Sequence, residues 1–224
     1  MTRDHMGPPA VWNLIIPVKG TGLAKSRLTP FSQPHRAALA LAFALDAASA
    51  GLASPRVRRV VAVTNDRAAV GALSAIGVEV APDEPAAGLN AAVARGAALI
   101  RQEDPLAAVA AMCGDLPAVR AVDLTALLTA VGSVPRWFVA DAAGVGTTML
   151  AAWEGELEPA FGPGSRARHQ QLGAADIVEV VGDVPAATMA RLRRDVDTLD
   201  DLTEARKLGV GPRTNAALID IEAA

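Results

Sequence analysis

The stretch WNLIIPVKGTGLAKSRL, residues 12–28, joins an apolar run to a glycine-rich basic loop. Trp12–Val18 has the length and apolarity of a strand that is buried on both faces. Lys19–Arg27 follows, with two glycines and three cations. Glycine lets the backbone approach an anion, free amides point at its oxygens, and cations neutralise its charge. The stretch therefore predicts a buried first strand followed directly by a loop that holds phosphate.

Apolar runs alternate with helical patterns from this stretch to about residue 140. The predicted strands are Trp12–Val18, Val57–Thr64, Val78–Ala81, Ala107–Cys113 and Trp137–Ala140. The predicted helices are His35–Ala50 with Ser32 as N-cap, Ala68–Ile76, Leu89–Arg101 and Val122–Val131. Such alternation favours an α/β fold with a mostly parallel central sheet.

The pattern weakens after residue 150. We expect strands over Thr147–Ala151 and Ile177–Val181 and a closing helix over Leu199–Lys207. Gly211-Pro212 then ends the predicted fold, and Thr214–Ala224 is expected to be a loose tail. The chain is thus divided into a flexible tail over 1–10, one domain over 11–211 and a C-terminal tail over 212–224.

Composition narrows the functional classes. The chain has 224 residues, 51% of them hydrophobic, with a net charge of −3, so a basic footprint for nucleic acid is absent. A single cysteine, Cys113, excludes an internal disulfide and fits a cytoplasmic location. The most apolar long stretch, Ala37–Ala53, is interrupted by Asp46 and Ser49, which favours a buried helix over a membrane span.

Polar side chains follow the predicted strands where each strand ends. Lys19, Asp66, Asp115 and Asp141 occupy such positions. Ligands of a parallel sheet gather beyond the carboxyl ends of its strands, so these residues are candidates for one site. Asp115 could serve as a Mg²⁺ ligand, or it could cap the next helix.

Asp195 and Asp197 form a second carboxylate pair. In an extended segment two residues apart point the same way, so both carboxylates would share one face. Mg²⁺ prefers one or two carboxylates together with phosphate oxygens and water. The alternative for Asp197 is N-capping of the helix that follows. Together with Asp115, the pair suggests a site of three carboxylates.

Four short segments carry weaker signals. Gly144–Thr148 and Gly162–Ser165 offer free amides and hydroxyls for a second phosphate or a carboxylate. Thr64-Asn65-Asp66 and Gly88-Leu89-Asn90 could contact a base and a ribose. Glycine loops are common, so each of these hypotheses is unspecific when taken alone.

The loop after the first strand fits neither of two familiar phosphate-binding patterns. Aligned on Lys25-Ser26, a Walker A loop would need glycine at Ala24 and Lys19. A Rossmann fingerprint would need glycine at Lys25. A triphosphate clamp, with Lys25 and Arg27 on phosphate oxygens, remains open beside a solvated turn.

The motifs IIPVKGTGLAKSRL, VTND, GLNAA, CGDLPAV, GVGTTML, FGPGSRARH and RRDVDTLDDL occur in this order. In this combination the sequence resembles the guanylyltransferases of coenzyme F-420 biosynthesis, over roughly residues 11–210. The resemblance implies a three-layer nucleotidyltransferase-like fold of the GT-A type. It implies metal binding by Asp115, Asp195 and Asp197. It also implies a cradle for phosphoenolpyruvate or phospholactate made by Thr147 or Thr148 with Gly162 and Ser165.

The resemblance further implies an enzyme that transfers GMP from GTP to a phosphorylated three-carbon acid with Mg²⁺ and releases pyrophosphate. Lys19, Lys25, Arg27 and Asp115 are the expected catalytic residues. The expected nucleotide-binding residues are Gly20, Ser26, Thr64, Asp66, Gly88 and Asn90. We expect the product to pass to the next enzyme of the pathway.

Several alternatives stay open at this point. The acid could be phosphoenolpyruvate, 2-phospho-L-lactate or 3-phospho-D-glycerate, and no single residue decides among them. The base could be cytosine or uracil. A guanylyltransferase of molybdenum-cofactor type would use the same fold, and a non-catalytic nucleotide sensor would keep the loop without needing three carboxylates.

Overall fold

The computed structural model describes residues 11–20, 25 and 27–223. Within this part of the chain seven strands form one sheet in the order β3-β2-β1-β4-β6-β5-β7. They are β1 Trp12–Pro17, β2 Val57–Val63, β3 Glu79–Ala81, β4 Val109–Met112, β5 Arg136–Ala140, β6 Thr147–Ala152 and β7 Ala175–Asp176. Neighbouring strands are parallel except at β6, which runs antiparallel to β4 and β5. The mostly parallel sheet that the alternation predicts is therefore confirmed.

Helices lie between and after these strands. They are α1 Gln33–Ala53, α2 Arg67–Ala75, α3 Leu89–Glu103, α4 Ala121–Ala130, α5 Ser165–Gln171, α6 Ile177–Val180, α7 Ala186–Arg193, α8 Leu199–Leu208 and α9 Pro212–Glu222. The predicted cap of α1 is confirmed, because the Ser32 hydroxyl accepts from the His35 N–H at 3.4 Å.

Successive residues of β1 send their side chains to opposite faces of the sheet, as a period of two requires. Leu14 packs in a cluster with residues of α1, α2 and α4, and Ile15 packs in a second cluster with residues of α3. Gly51 of α1 and Gly96 of α3 let these helices approach closely. A Cβ at either position would lie 2.7 Å from Leu14 or Ile15, respectively. The result is the expected three-layer α/β/α arrangement.

Helix α1 is the one helix in the described ranges whose length and hydropathy would suffice to cross a membrane, and 56% of that stretch is buried inside the fold. Its Asp46 is buried and accepts from the Arg213 and Thr214 N–H groups at 3.1 and 2.8 Å. A carboxylate of α1 thus caps the first turn of α9.

This contact corrects one expectation. The segment from Thr214 onward, which the sequence suggested to be a loose tail, is helical to Glu222. The helix was missed because its cap comes from a residue 167 positions earlier in the chain. Leu218 of α9 is buried with Phe43 of α1 and Leu202 of α8 in a third apolar cluster.

A second expectation was also wrong. Ile177–Val181, a β-branched run predicted to be a strand, forms the short helix α6, and only Ala175–Asp176 before it pairs with β5. The Asp176 carboxylate accepts from the Val178 N–H at 3.2 Å, which caps a helical turn at this point. Propensity for strand is weak against such a local cap.

Candidate active site

A cavity of about 370 Å³ lies beyond the carboxyl ends of β1 and β4. Its polar lining comprises Lys19, Lys25, Arg27, Asp115 and Asp197. The rest of the lining comes from the end of β1 and the residue after it, from α1, from the start of α3 and from the residues after β4, namely Pro17, Val18, Ala40, Ala44, Leu89, Cys113 and Gly114. The cavity thus lies where the strand order predicts a ligand crevice, and it brings together cations and carboxylates from both ends of the chain.

The Lys25 ammonium group joins the two carboxylates of this cavity. It donates to Asp115 Oδ2 at 2.5 Å and to Asp197 Oδ1 at 2.9 Å. Only 10% of the Lys25 side chain is exposed. Burial opposes the charged form, but the carboxylates of Asp115 and Asp197 outweigh it and raise the pKa of Lys25, so the ammonium stays charged.

Backbone contacts hold the two carboxylate segments side by side. The Val196 N–H donates to the Asp115 carbonyl oxygen at 3.1 Å. The N-cap of α8 is Thr198, whose hydroxyl accepts from the Asp201 N–H, so Asp197 does not cap this helix. Likewise α4 begins at Ala121 after Arg120, which excludes Asp115 as its cap. The capping alternatives considered for Asp115 and Asp197 are therefore wrong, and both carboxylates face Lys25.

Asp195 lies in the same electrostatic environment. Burial and the negative charges of Asp115 and Asp197 raise the pKa of Asp195 to about 7. One ammonium group therefore does not neutralise three neighbouring carboxyl groups. A further cation would relieve this repulsion and return the Asp195 pKa towards its ordinary value.

We tested whether these residues fit a divalent cation by their geometry and by the chemistry of their donor atoms. Among residues 11–20, 25 and 27–223, no three His, Cys, Asp or Glu side chains converge as ligands around one point. However, Asp115 Oδ1 is buried and has no hydrogen-bond partner within the described structure. Carboxylate oxygens are the ligands that Mg²⁺ prefers. The chemistry of these donors therefore suits a divalent cation, with Lys25 between two of them.

Thr147 and Thr148 start β6 beside β4 and point to opposite faces of the sheet. Thr148 donates its hydroxyl hydrogen to the Leu192 carbonyl oxygen at 2.7 Å, so it ties β6 to α7. Thr147 instead lies 3.0 Å from the ring nitrogen Nδ1 of His169. Both residues are buried, and Thr147 contacts the segment that follows Gly162 and Ser165 through His169.

We call Thr147 and residues 160–169 the GPGS wall, and none of these residues is among those that line the cavity described above. Gly162 has φ 116°, a conformation that glycine adopts without steric cost. Its carbonyl oxygen accepts from the Ser165 N–H at 3.0 Å. The Arg168 guanidinium donates to the carbonyl oxygens of Ala160 and Pro163. Asn90 fixes the wall from α3: its side chain accepts from the Phe161 N–H and donates to the Phe161 carbonyl.

Among the residues expected to bind the nucleotide, Thr64 and Asp66 form hydrogen bonds with backbone N–H groups close to them in the chain. Thr64 is buried and accepts from the Asp66 N–H at 3.1 Å, and Asp66 caps α2 by accepting from the Ala69 N–H. Gly88, with φ 98°, directly precedes α3. Gly20 is exposed in the segment that follows β1. Ser26 lies outside the described residues, and the nucleotide-binding role of all these positions stays a prediction.

Cys113 lines the cavity beside Asp115. Burial and the nearby carboxylates of Asp115 and Asp195 raise the pKa of Cys113 well above its ordinary value. A thiol in this state is a poor nucleophile.

Comparison with known proteins places this chain in a family. The family model described as "Guanylyl transferase CofC like" matches residues 12–219. The chain belongs to this family. The match spans β1 to α9 and so includes the cavity, both carboxylate segments and the GPGS wall.

Curated members of the CofC-like family are similar to the chain along nearly its whole length. A protein of Streptomyces scabiei named phosphoenolpyruvate guanylyltransferase is 50% identical, over 92% of this chain and 95% of that protein. A protein of Thermomonospora curvata with the same name is 48% identical, over 92% of this chain and 87% of that protein. The resemblance inferred from the motifs is thereby confirmed.

Solved structures agree on the fold of this CofC-like chain. A protein of Desulfovibrio desulfuricans G20, described provisionally as a nucleotide-diphospho-sugar transferase, superposes with a TM-score of 0.59 at 18% identity. The alignment covers 94% of each chain. The nucleotidyltransferase-like fold that the motifs imply is confirmed.

Sequence reasoning assigned no role to His169, and it named Asn90 as a contact to the base or ribose, a role that stays a prediction. His169 is 1% exposed and Asn90 holds Phe161, 71 residues away. The FGPGSRARH motif contains His169 and marked its segment, but no spacing rule links it to Thr147.

Proposed function

We propose that the chain transfers GMP from GTP to phosphoenolpyruvate. A phosphate oxygen of the acid attacks the α-phosphorus of GTP in line with the leaving group. A new P–O bond forms, the bond from the α-phosphorus to the bridging oxygen breaks, and pyrophosphate leaves with that oxygen. The observation that carries this proposal is the convergence of Lys19, Lys25 and Arg27 with Asp115 and Asp197 in one cavity of a CofC-like chain.

Lys25 is proposed to act on the triphosphate. An ammonium group has three donors, and Asp115 and Asp197 accept two of them. The third donor remains for a phosphate oxygen of GTP. Lys19 and Arg27, both exposed at the cavity, add positive charge at its mouth. These cations offset the repulsion between two anionic substrates, which positioning and electrostatics must overcome.

Asp115, Asp195 and Asp197 are proposed to hold a divalent cation, with Mg²⁺ as the ion expected. When bound, the ion would stabilise charge on the transferring phosphoryl group, an effect of several kcal/mol in general. The unpartnered Asp115 Oδ1 and the raised Asp195 pKa support this assignment. Since the attacking phosphate is already an anion, the chain needs no strong general base.

The GPGS wall is proposed to bind the acceptor acid through Thr147, Gly162 and Ser165. Between the two threonines, the contacts favour Thr147, because the Thr148 hydroxyl is committed to Leu192 on the other face. Curated relatives named phosphoenolpyruvate guanylyltransferase support that acid over 2-phospho-L-lactate and 3-phospho-D-glycerate. A cytoplasmic location and transfer of the product to a following enzyme remain predictions.

The test is a pyrophosphate-release assay that crosses four nucleoside triphosphates with the three acids, with and without Mg²⁺. We expect turnover with GTP and phosphoenolpyruvate in the presence of Mg²⁺ only. A preference for another acid would correct the acceptor. Tight GTP binding without turnover for any pair would favour a nucleotide sensor and contradict the proposal.

A further inference from the structure

The GPGS wall contains a buried histidine that the proposed reaction does not yet use. We propose that His169 is a positioning residue: it orients the Thr147 hydroxyl so that its hydrogen is donated to an anionic oxygen of the acceptor acid. This inference rests on the proposed function, because it takes the GPGS wall as the binding site of the acceptor acid.

The hydrogen-bond partners of the His169 ring determine its tautomer. The Ala160 N–H donates to His169 Nε2 at 3.0 Å. A backbone amide can only donate, so Nε2 must carry a lone pair. In a neutral ring the proton then resides on Nδ1. The partners of the ring therefore select the Nδ1–H tautomer.

This tautomer fixes the direction of the hydrogen bond between His169 and Thr147. Nδ1 lies 3.0 Å from Thr147 Oγ1, so His169 donates and the Thr147 oxygen accepts. The hydroxyl hydrogen of Thr147 is then left to point elsewhere. Within the part of the chain that the structure describes, no acceptor for it is found. Thr147 is 7% exposed, so this donor is largely shielded from water and favours an anionic oxygen.

The surroundings of the His169 ring keep it neutral. Burial, together with the positive charges of Arg168 on α5 and Arg136 on β5, lowers the pKa of His169 to about 4. The rings of Phe138 and Phe161 pack against it, with centroids 5.7 and 5.2 Å away. His169 therefore stays neutral near pH 7, as the selected tautomer requires.

Arg168 supplies positive charge to the GPGS wall, which carries the Thr147 hydroxyl. The Arg168 guanidinium donates to carbonyl oxygens, and in the described ranges it forms no ion pair with a carboxylate. Its positive charge is therefore not cancelled locally and attracts an anion to the wall. Asn90 braces Phe161 and with it the Ala160 amide that selects the tautomer.

Two substitutions separate the two hydrogen bonds of the ring. His169→Gln can still accept from the Ala160 N–H but loses the donor to Thr147. His169→Asn keeps a donor near the position of Nδ1 and loses the acceptor. We expect His169→Gln to raise KM for phosphoenolpyruvate tenfold to a hundredfold, as loss of a hydrogen bond to a charged group does. KM for GTP should change less than twofold, and His169→Asn should recover part of the loss.

A double-mutant cycle with Thr147→Val tests the coupling. If His169 acts through Thr147, the double variant Thr147→Val/His169→Gln binds the acid no more weakly than Thr147→Val alone. His35→Gln, in the first turn of α1 and outside the cavity, is the matched control and should leave both KM values unchanged. Multiplicative effects, or equal increases in both KM values, would indicate a merely structural role and overturn the inference.

A readout that does not need activity is the ¹⁵N NMR spectrum of histidine-labelled wild type, which has three histidines. We expect one ring in the Nδ1–H tautomer from pH 7.5 down to about pH 5. A spectrum without this tautomer would overturn the inference by itself. A wild type inactive on every acid would overturn the proposed function as well. An active wild type with normal His169→Gln kinetics would overturn the inference alone.

Discussion

Replacing Lys25 by methionine removes the cation between the two carboxylates while it keeps the apolar stem. The lost ammonium lies 2.5 Å from Asp115 and 2.9 Å from Asp197. Removing one partner of a buried ion pair costs about 3–5 kcal/mol. Because the Asp197 side chain is 49% exposed, water screens part of this loss. We therefore expect a fall in the free energy of unfolding of about 2 kcal/mol.

For a chain of this size, that loss corresponds to a fall in Tm of roughly 4–8 °C, measured without metal. Added Mg²⁺ should raise the Tm of the variant more than that of the wild type, because the ion no longer competes with the ammonium. In steady-state assays we expect KM for GTP to rise by about tenfold or more, as for loss of a charge-assisted hydrogen bond.

Lys207→Met is the matched control. Lys207 is 67% exposed and pairs with Glu204 on the surface of α8, so we expect a change below about 0.5 kcal/mol and an unchanged KM for GTP. If Lys25→Met melted at the same temperature as Lys207→Met and kept the wild-type KM, neither the ion-pair account nor the triphosphate contact of Lys25 would stand.

Three further perturbations test other parts of the account. Asp115→Asn should lower pyrophosphate release by roughly three orders of magnitude while circular dichroism stays unchanged; near-normal release would refute the metal assignment. Asp46→Ala removes the cap of α9 and should lower the urea midpoint by the equivalent of about 1–3 kcal/mol; no change would contradict the capping role. The pKa of His169 is about 4 in the folded chain and about 6.5 when unfolded, so the unfolded chain binds more protons between these values. Stability should therefore fall as pH drops through this window, by up to about 3 kcal/mol, and urea titrations should show a smaller fall for His169→Phe.

The first 150 residues could be predicted well because their signals are local. Apolar runs such as Trp12–Pro17 are buried entirely, and the Ser32 cap lies directly before the helix it starts. Of the four polar residues predicted at strand ends, Lys19 and Asp115 line the cavity, since parallel strands carry their carboxyl ends to one edge of the sheet, whereas Asp66 and Asp141 do not line it. Lys25 was named from the glycine-rich loop and Asp197 from the carboxylate pair, and the fold brings both to Asp115 although 90 and 172 residues separate Lys25 from its partners.

What could not be predicted depends on contacts between distant residues. The helix at the C-terminus needs Asp46 as its cap, and the GPGS wall needs Asn90 and the His169–Thr147 contact. A single side chain that meets a backbone group far along the chain leaves no periodic pattern. Ile177–Val181 shows the converse, because a β-branched run is helical where the Asp176 cap favours a turn.

The most direct test of the account is to identify the products formed from GTP and phosphoenolpyruvate with Mg²⁺. ³¹P NMR and mass spectrometry should show one equivalent of pyrophosphate for each GTP consumed. They should also show one product in which the α-phosphorus of GTP is joined through oxygen to the phosphate of the acid. GMP with unchanged phosphoenolpyruvate, or no consumption of GTP at all, would contradict guanylyl transfer to this acid.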